Sequence, residues 1–304
     1  MNAHSSNARG AAFMMASMAG FALNDALIKS TAGELQLFQA IFLRGLAATA
    51  LIAGLAACRG VLFARIPRRD RPLIGWRIAG EVGATTCFLT ALFHMPLANA
   101  TAILQAIPLA VTLAAAVFLK EPVGWRRYIA IAVGFAGVLL IVRPGSVGFT
   151  VYSLWALGAV GFLTLRDLVT RQLSTDVPSL FVTVCTSASI TLLGAAGAIF
   201  YPWPAPGGGS VLTLGSAAVF LLVGYLFGVK AMRAGDIGYI SPFRYSILVW
   251  AMILGLIVFG DMPDSLTILG AAVVVGTGVY TFHRERMLRR RENLPAAPSL
   301  APHR

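Results

Sequence analysis

Long apolar runs, separated by short polar connections, occupy most of the chain. Each run approaches the length of about 20 residues that a helix needs to cross a bilayer. The runs predict ten spans, near residues 10–29, 36–57, 73–95, 97–119, 126–142, 150–171, 179–201, 211–232, 236–259 and 266–283. Because each backbone polar group in lipid needs a partner within its own segment, these runs predict helices rather than barrel strands. We therefore expect an all-α integral membrane protein with ten transmembrane helices.

The composition agrees with this expectation. Of the 304 residues, 58% are hydrophobic and only 12% are charged, and the mean hydropathy is +0.79. A soluble domain has about 25% charged residues. This chain has too few polar groups to cover a surface that faces water.

The basic residues favour a membrane orientation over a nucleic-acid partner. A net charge of +12 suits phosphate binding only where Lys and Arg cluster on one surface. Here most of them lie in alternate connections and near the C-terminus, and the remaining connections contain only Lys29 and Arg143. The positive-inside rule then predicts that both termini are cytoplasmic. The basic segment 286–304, rich in Pro and Ala, is predicted to be a disordered cytoplasmic tail.

Two similar segments indicate an internal repeat. The segments are "GFALNDALIKS" in the first span and "GFLTLRDLVTR" in the sixth, and each has an acid four positions before a base. Glu121 and Asp261 also stand in comparable places. The chain is therefore predicted to contain two five-helix repeats, 8–143 and 150–285. Since five is odd, the second repeat must enter the membrane from the opposite side, which makes the repeats inverted.

The repeated acid–base pairs have two interpretations. Asp25 and Lys29 are predicted near the outer end of the first span, and Asp167 and Arg171 near the cytoplasmic end of the sixth. A spacing of four places the two side chains of each pair on the same helix face. The pairs are then either ion pairs that tether helix ends, or parts of an outer and an inner gate.

Several segments resemble a known family. They are "FALNDALIK", "QLFQAIFLRGLAATALI" and "PLANATAILQAIPLAVTLAAAVFLKEPVGWRRYIAIAVGFAGVLLIVRPG". These segments resemble the drug/metabolite transporter superfamily with paired EamA domains, over about residues 10–285. The resemblance implies two inverted five-helix halves, a central cavity and a place in the bacterial inner membrane. Within the superfamily, the chain is similar to bacterial riboflavin and S-adenosylmethionine uptake carriers.

Three charged residues are predicted deep in spans, where each costs at least about 2.5–3.5 kcal/mol. They are Arg44 in the second span, Glu81 in the third and Arg244 in the ninth. Such groups are expected to face a cavity or one another. The two arginines could bind a carboxylate or a carbonyl of a substrate. The alternative for Arg44 is an ion pair with Asp25 or with Glu81.

Prolines mark the fourth and ninth spans. Pro108 and Pro242 remove a backbone donor, and so predict a bend that exposes carbonyls to a cavity. The polar and aromatic side chains near these prolines are predicted substrate contacts: Gln105, Ser241, Phe243, Tyr245 and Trp250. The aromatic ones have an alternative role in packing.

These features favour a secondary carrier for a small molecule that works by alternating access. A membrane enzyme would need convergent catalytic groups or metal ligands, and the four isolated His residues do not supply them; we expect no metal and no cofactor. A channel would need rings of polar residues. Riboflavin uptake is our first hypothesis, and the alternatives are export of amino acids or drugs and uptake of an S-adenosylmethionine-type metabolite. Asp25 and Glu81 are candidates for proton coupling, and the Gly-rich fifth and tenth spans could support a homodimer.

Overall fold

The apolar runs form helices, as their pattern predicts. A computed structural model describes residues 3–64, 66–121, 124–145, 149–174, 176–234 and 237–292. The helices of the first half are α1 (Ala3–Ser30), α2 (Leu37–Cys58), α3 (Arg71–His94), α4 (Leu97–Leu104), α5 (Ile107–Phe118) and α6 (Trp125–Val142). Those of the second half are α7 (Val151–Gln172), α8 (Ser179–Gly197), α9 (Gly208–Ala234), α10 (Ile237–Ile240), α11 (Ser246–Phe259) and α12 (Ser265–Glu292).

Nine segments of the described chain are long and apolar enough to cross a membrane. Helix α3 has the required length, 24 residues, but it carries Arg71, Arg77 and Glu81 and is less apolar than the others. Its charged side chains are used inside the bundle, as shown below. The structure therefore agrees with the ten spans predicted from the sequence, with α3 as the polar member.

Two spans are broken near their prolines, as predicted. The fourth span divides into α4 and α5 at Gln105 and Ala106, just before Pro108. The ninth divides into α10, a 3₁₀ turn at Ser241–Tyr245 that contains Pro242, and α11. Because proline lacks an N–H, the carbonyl one turn earlier loses its helical partner. Both breaks lie beside the same cavity.

Helix packing is matched between the two halves. Helix α1 packs along α9 and α3 packs along α7, while α2 packs on α8 and α6 packs on α12. In the two repeats, α1 corresponds to α7 and α3 corresponds to α9. Exchanging the halves therefore converts the α1–α9 pair into the α7–α3 pair, and it leaves the α2–α8 and α6–α12 pairs unchanged. This pattern is the one that two repeats related by a two-fold axis would produce, and it supports the predicted inverted repeat.

A hydroxyl cluster between α2 and α8 gives the same correspondence at single residues. The Oγ1 atoms of Thr49 and Thr191 lie 3.0 Å apart, and the two residues are separated by 142 positions. Asp25 and Asp167 are separated by the same number of positions. A residue that contacts its own repeat equivalent lies on a two-fold axis. The Thr49–Thr191 contact thus marks where that axis would pass.

Two polar contacts identify the opposite ends of the bundle. Lys29 Nζ donates to the carbonyl of Met95 at 2.7 Å, and we call this the Lys29 end. Arg171 lies 3.9 Å from Glu121, and we call this the Arg171 end. Most of the large hydrophobic cluster, including Ile28, lies toward the Lys29 end. Two smaller clusters lie toward the Arg171 end, so the bundle is packed more tightly at the Lys29 end.

The glycines of the fifth and tenth spans are used within the chain. A Cβ on Gly137 would lie 2.9 Å from the carbonyl oxygen of Gly270, and one on Gly270 would lie 2.6 Å from that of Gly137. These glycines therefore let α6 and α12 approach each other closely. They no longer argue for a homodimer, which stays a prediction. Helix α12 also continues to Glu292, so the first part of the predicted disordered tail is helical, and residues 293–304 lie outside the described residues.

Candidate functional site: a charged cavity between the two halves

A cavity of about 270 Å³ lies between the halves of the bundle. Helices from both halves and the 3₁₀ turn contribute to its wall. Six predicted site residues line it: Asp25, Gln105, Asp167, Arg171, Arg244 and Tyr245. Phe88, which we expected could stack on a planar ligand, lines it as well. The wall also contains polar and aromatic side chains that we did not predict as site residues: Thr101, Thr112, Arg166, Thr281 and Phe282. The cavity thus combines charged, neutral polar and aromatic surfaces.

Arg166 is the centre of the charge network beside this cavity. Its Nη1 atom lies 3.2 Å from a carboxylate oxygen of Glu81 on α3, and its Nη2 atom lies 2.8 Å from Asp167. The Glu81 side chain is 16% exposed and the Arg166 side chain 24% exposed. One guanidinium therefore joins α3 to α7 and holds two carboxylates, since its donors form a rigid fork.

This network corrects two predictions. Asp167 pairs with Arg166, its neighbour in sequence, and not with Arg171 one turn later. Glu81 lies outside the cavity lining and is bound to Arg166. Arg166 was missed because only the four-residue spacing of "RDLVTR" was considered. The sequence did contain a signal for it, because an arginine inside a membrane span is costly and is therefore expected to have a partner.

The ion pair predicted in the first half, between Asp25 and Lys29, is also not formed. Lys29 Nζ donates to the carbonyls of Leu92 at 3.1 Å and Met95 at 2.7 Å, and it lies over the ring of Phe259. Lysine is favourable here because the end of a helix presents unsatisfied carbonyls and partial negative charge. Asp25 accepts a hydrogen bond from the Asn24 side chain at 2.9 Å. Asp25 therefore lines the cavity, while Lys29 is bound to carbonyl groups near the end of α3.

Arg44 lies close to the cavity but is not part of its lining. Its Nη1 atom lies 3.5 Å from the side-chain oxygen of Asn24, and its Nε atom is buried without a hydrogen-bond partner. Arg44 interacts electrostatically with Asp25 and Glu81, but neither carboxylate lies within ion-pair distance of it in the described chain. It lies behind the cavity wall, with Asn24 between it and Asp25. A substrate contact for Arg44 stays a prediction.

Arg77, one turn before Glu81 on α3, contacts the second half of the chain. Its guanidinium donates to the hydroxyls of Thr170 at 3.1 Å and Thr186 at 2.5 Å. Thr186 occupies the repeat position of Arg44. Both halves therefore have an arginine near this place, but the second half receives its arginine from α3 of the first.

The predicted contacts of the ninth span are divided between two environments. Tyr245 is buried and lines the cavity, and Arg244 lines it as well but is exposed. The span begins at Ser241, so Arg244 lies in its first turn, which corrects the predicted depth. Phe243 and Trp250 pack on an apolar cluster outside the cavity lining.

Ser241 is buried in the same 3₁₀ turn but lies outside the lining. We had predicted it as a substrate contact together with its neighbours. Its position one residue before Pro242 places it at the helix break. Direct contact of Ser241 with a substrate stays a prediction.

A second polar cluster lies outside the membrane spans, at the Arg171 end. Ser174 donates to Asp70 through its hydroxyl at 2.6 Å and through its backbone N–H at 3.3 Å. The Ser174 hydroxyl is the main reason that the pKa of Asp70 is below its usual value, and the nearby Arg69 acts in the same direction. Arg69 also pairs with Asp176. These contacts join the connections that precede α3 and follow α7.

Comparison with known proteins agrees with the fold. Residues 8–143 match the EamA-like transporter family. A solved crystal structure has the same fold, with a TM-score of 0.62 at 22% identity, and the match covers 96% of this chain and 100% of that one. The described chain and its similarity to bacterial transporters support a multi-pass bacterial membrane transporter, and its first half is similar to the EamA-like transporter family.

The curated relatives are transporters for different molecules. A riboflavin transporter of Vibrio cholerae is 29% identical over 72% of this chain and 74% of that protein. A pseudopaline exporter of Pseudomonas aeruginosa is 28% identical over 84% of this chain and 89% of that protein. An S-adenosylmethionine uptake transporter of Rickettsia prowazekii is 25% identical over 63% of this chain and 65% of that protein. The function of the relatives points to transport of a small molecule and away from an enzyme.

Proposed function

We propose that the chain is a secondary carrier that moves a small metabolite across the bacterial inner membrane by alternating access, with both termini in the cytoplasm. The cavity between the two halves is the observation that carries this proposal. It is bounded by the packed Lys29 end, and the exposed side chains of Arg171 and Arg244 lie in its wall near the other end. In the predicted orientation, the carrier is open toward the cytoplasm.

Riboflavin is the first candidate substrate, taken up from outside. The similarity to the Vibrio cholerae riboflavin transporter supports it. The aromatic side chains of Phe88, Tyr245 and Phe282 in the cavity wall also favour a flat ring, because aromatic groups prefer stacked or edge contacts. Growth of a riboflavin-requiring bacterium at low riboflavin should improve when this chain is expressed. Purified protein in proteoliposomes should exchange labelled riboflavin, and absence of both effects would contradict the riboflavin assignment.

Lys29 and Arg171 are proposed as equivalent gate residues. Lys29 is half-buried, donates two hydrogen bonds to carbonyl groups near the end of α3, and interacts electrostatically with Asp261. Arg171 occupies the repeat position of Lys29, and Glu121 stands in a place comparable to that of Asp261. The Arg171–Glu121 contact is 3.9 Å long and both side chains are about half exposed, which makes it weak. This asymmetry is expected of a carrier closed at the Lys29 end and open at the Arg171 end.

The gate assignment can be tested without a substrate. A Gln105→Cys probe in the cavity, with Cys58, Cys87 and Cys185 replaced by Ser, is labelled by an impermeant thiol reagent from either side of the membrane. Lys29→Gln removes a contact of the closed outer end, so labelling from outside should rise several-fold. Arg171→Gln should lower it, because it weakens the state that is closed toward the cytoplasm. Equal responses of both variants would contradict the gate assignment.

Asp25 is the proposed coupling carboxylate. It lines the cavity and accepts one hydrogen bond, from Asn24, whereas Glu81 and Asp167 are both held by Arg166. An Asp25→Asn variant should lose the response of net uptake to a proton gradient and retain substrate exchange. Wild-type transport that does not respond to a proton gradient would contradict proton coupling.

Export of an organic metabolite is the alternative function. The similarity to the pseudopaline exporter favours it, because that match covers 84% of this chain. Export of amino acids or drugs and uptake of an S-adenosylmethionine-type metabolite belong to the same alternative set. Comparing right-side-out with everted vesicles under one imposed proton gradient decides the direction. Accumulation only in everted vesicles would favour export.

A further inference from the structure

The wall of the cavity contains two buried hydroxyls that have no hydrogen-bond partner within the described chain. Thr101 on α4 is 3% exposed and Tyr245 in the 3₁₀ turn is 6% exposed. Thr101 Oγ1 and Tyr245 Oη are both fully buried and unpaired, and both residues line the cavity. A buried hydroxyl without a partner costs about 1–3 kcal/mol. Such a cost is expected where a ligand completes the hydrogen bonds.

Thr101 differs from other threonines in the spans. Thr86, Thr90 and Thr112 each donate to the carbonyl four residues earlier, at 2.9, 2.7 and 2.8 Å. This local bond is the usual way for a threonine in a helix to satisfy its hydroxyl. Thr101 does not form it, although it lies in a helix. Its carbonyl accepts a hydrogen bond from the Gln105 side chain at 3.0 Å, so the Gln105 amide lies against the same helix turn.

Tyr245 is held in place by α12, which belongs to the same half of the chain. Its hydroxyl lies directly on the backbone of Gly278, where a Cβ would come within 1.7 Å of Tyr245 Oη. Its ring meets that of Phe282 edge-on, with 6.5 Å between centroids. Because α4 also packs on α11, the two helix breaks are brought together at this part of the wall. The hydroxyl is thus positioned by packing, without a hydrogen bond.

We propose that Thr101, Gln105 and Tyr245 form a subsite for an uncharged, amide-like edge of a planar ring, with carbonyl and N–H groups side by side. A hydroxyl can donate or accept, and a carboxamide does both, so these three groups match alternating acceptors and donors. The charged groups of the cavity are other residues, so a charged ligand group has no counter-charge among these three. The inference deepens the proposed function, since it defines which part of a substrate the carrier cavity recognises.

Binding of riboflavin and of 3-methylriboflavin, in which the ring N–H is blocked, tests the subsite. The purified protein should bind riboflavin about tenfold more tightly than the methylated analogue, the loss expected for one hydrogen bond in a buried site. Thr101→Val and Tyr245→Phe should each weaken riboflavin binding by a similar factor, and at least one of them should leave binding of the analogue nearly unchanged. Thr90→Val and Tyr128→Phe are matched controls outside the cavity lining and should retain wild-type binding. Equal losses for both ligands in both cavity variants would overturn the proposal.

A second measurement keeps this test separate from the identity of the substrate. Without ligand, Thr101→Val and Tyr245→Phe should leave the thermal midpoint of the purified protein unchanged or higher, because each removes an unpaired buried hydroxyl. A fall of several degrees in both variants would show that the hydroxyls have partners in the protein, and would overturn the subsite. If the wild type does not bind riboflavin, the riboflavin assignment fails, and the thermal measurement still decides the subsite.

Discussion

Replacing Arg166 provides a direct test of the charge network beside the cavity. In Arg166→Gln, the carboxylates of Glu81 and Asp167 lose the guanidinium that lies 3.2 and 2.8 Å from them. Removing one partner of a buried ion pair costs about 3–5 kcal/mol, because the other charge stays buried. The Asp167 side chain is 35% exposed and is partly screened by water, so we expect the lower value, about 3 kcal/mol.

The thermal midpoint of the purified protein measures this loss. At about 2–4 °C per kcal/mol, Arg166→Gln should lower the midpoint by roughly 6–12 °C. Glu81→Gln should cost less, because Arg166 keeps Asp167 as a partner. The double variant Glu81→Gln with Arg166→Gln should recover more than half of the loss, since it leaves one carboxylate near the surface of the cavity. Arg59→Gln replaces an exposed arginine outside this network and should change the midpoint little.

Two results would refute this reasoning. If Arg166→Gln were as stable as the wild type, the contacts seen around the guanidinium would contribute no net stability. If the double variant were less stable than Arg166→Gln alone, the loss would not come from an uncompensated Glu81 carboxylate. Substrate exchange measured in the same variants shows whether the network also affects transport.

Further predictions concern the packing of the cavity wall and the connections at the Arg171 end. Gly278→Ala should reduce substrate binding and lower stability by about 1–3 kcal/mol, because the new methyl group meets the Tyr245 hydroxyl. Combining it with Tyr245→Phe should recover part of the stability, measured as the thermal midpoint, and no recovery would contradict the proposed clash. The pKa of Asp70 is lowered in the folded protein, so its contribution to stability is full above the unfolded pKa of about 3.9 and is lost as the pH falls through the folded pKa. The midpoint difference between wild type and Asp70→Asn should therefore be larger at pH 7 than at pH 3. Ser174→Ala should reduce that difference at pH 7, and a difference independent of pH would contradict this origin.

The main features of the fold could be predicted from the sequence, because spans and breaks have local causes. Apolar length determines where a helix can cross the membrane, and Pro108 and Pro242 remove backbone donors wherever they lie. Even α3 was predicted correctly despite its charges, since its apolar residues still extend over a full span.

The partners of the charged side chains could not be predicted in the same way. Spacing within a helix indicates which side chains could contact each other. In the structure, however, Lys29 binds carbonyl groups near the end of α3, and Asp167 pairs with Arg166. The partner of each charged side chain depends on which helices are neighbours and on where those helices end. Thr101 had no signal of its own in the sequence, because the absence of its usual local hydrogen bond is visible only in the structure.

The contact between Thr49 and Thr191 has a consequence for the motion of the carrier. In the proposed exchange of roles between the two halves, residues on the two-fold axis meet the same partners before and after the change. This pair of hydroxyls can therefore stay together while the ends of the bundle move apart or close, and it would serve as a pivot. Substitutions there should alter the rate of interconversion more than the balance between the inward and outward states.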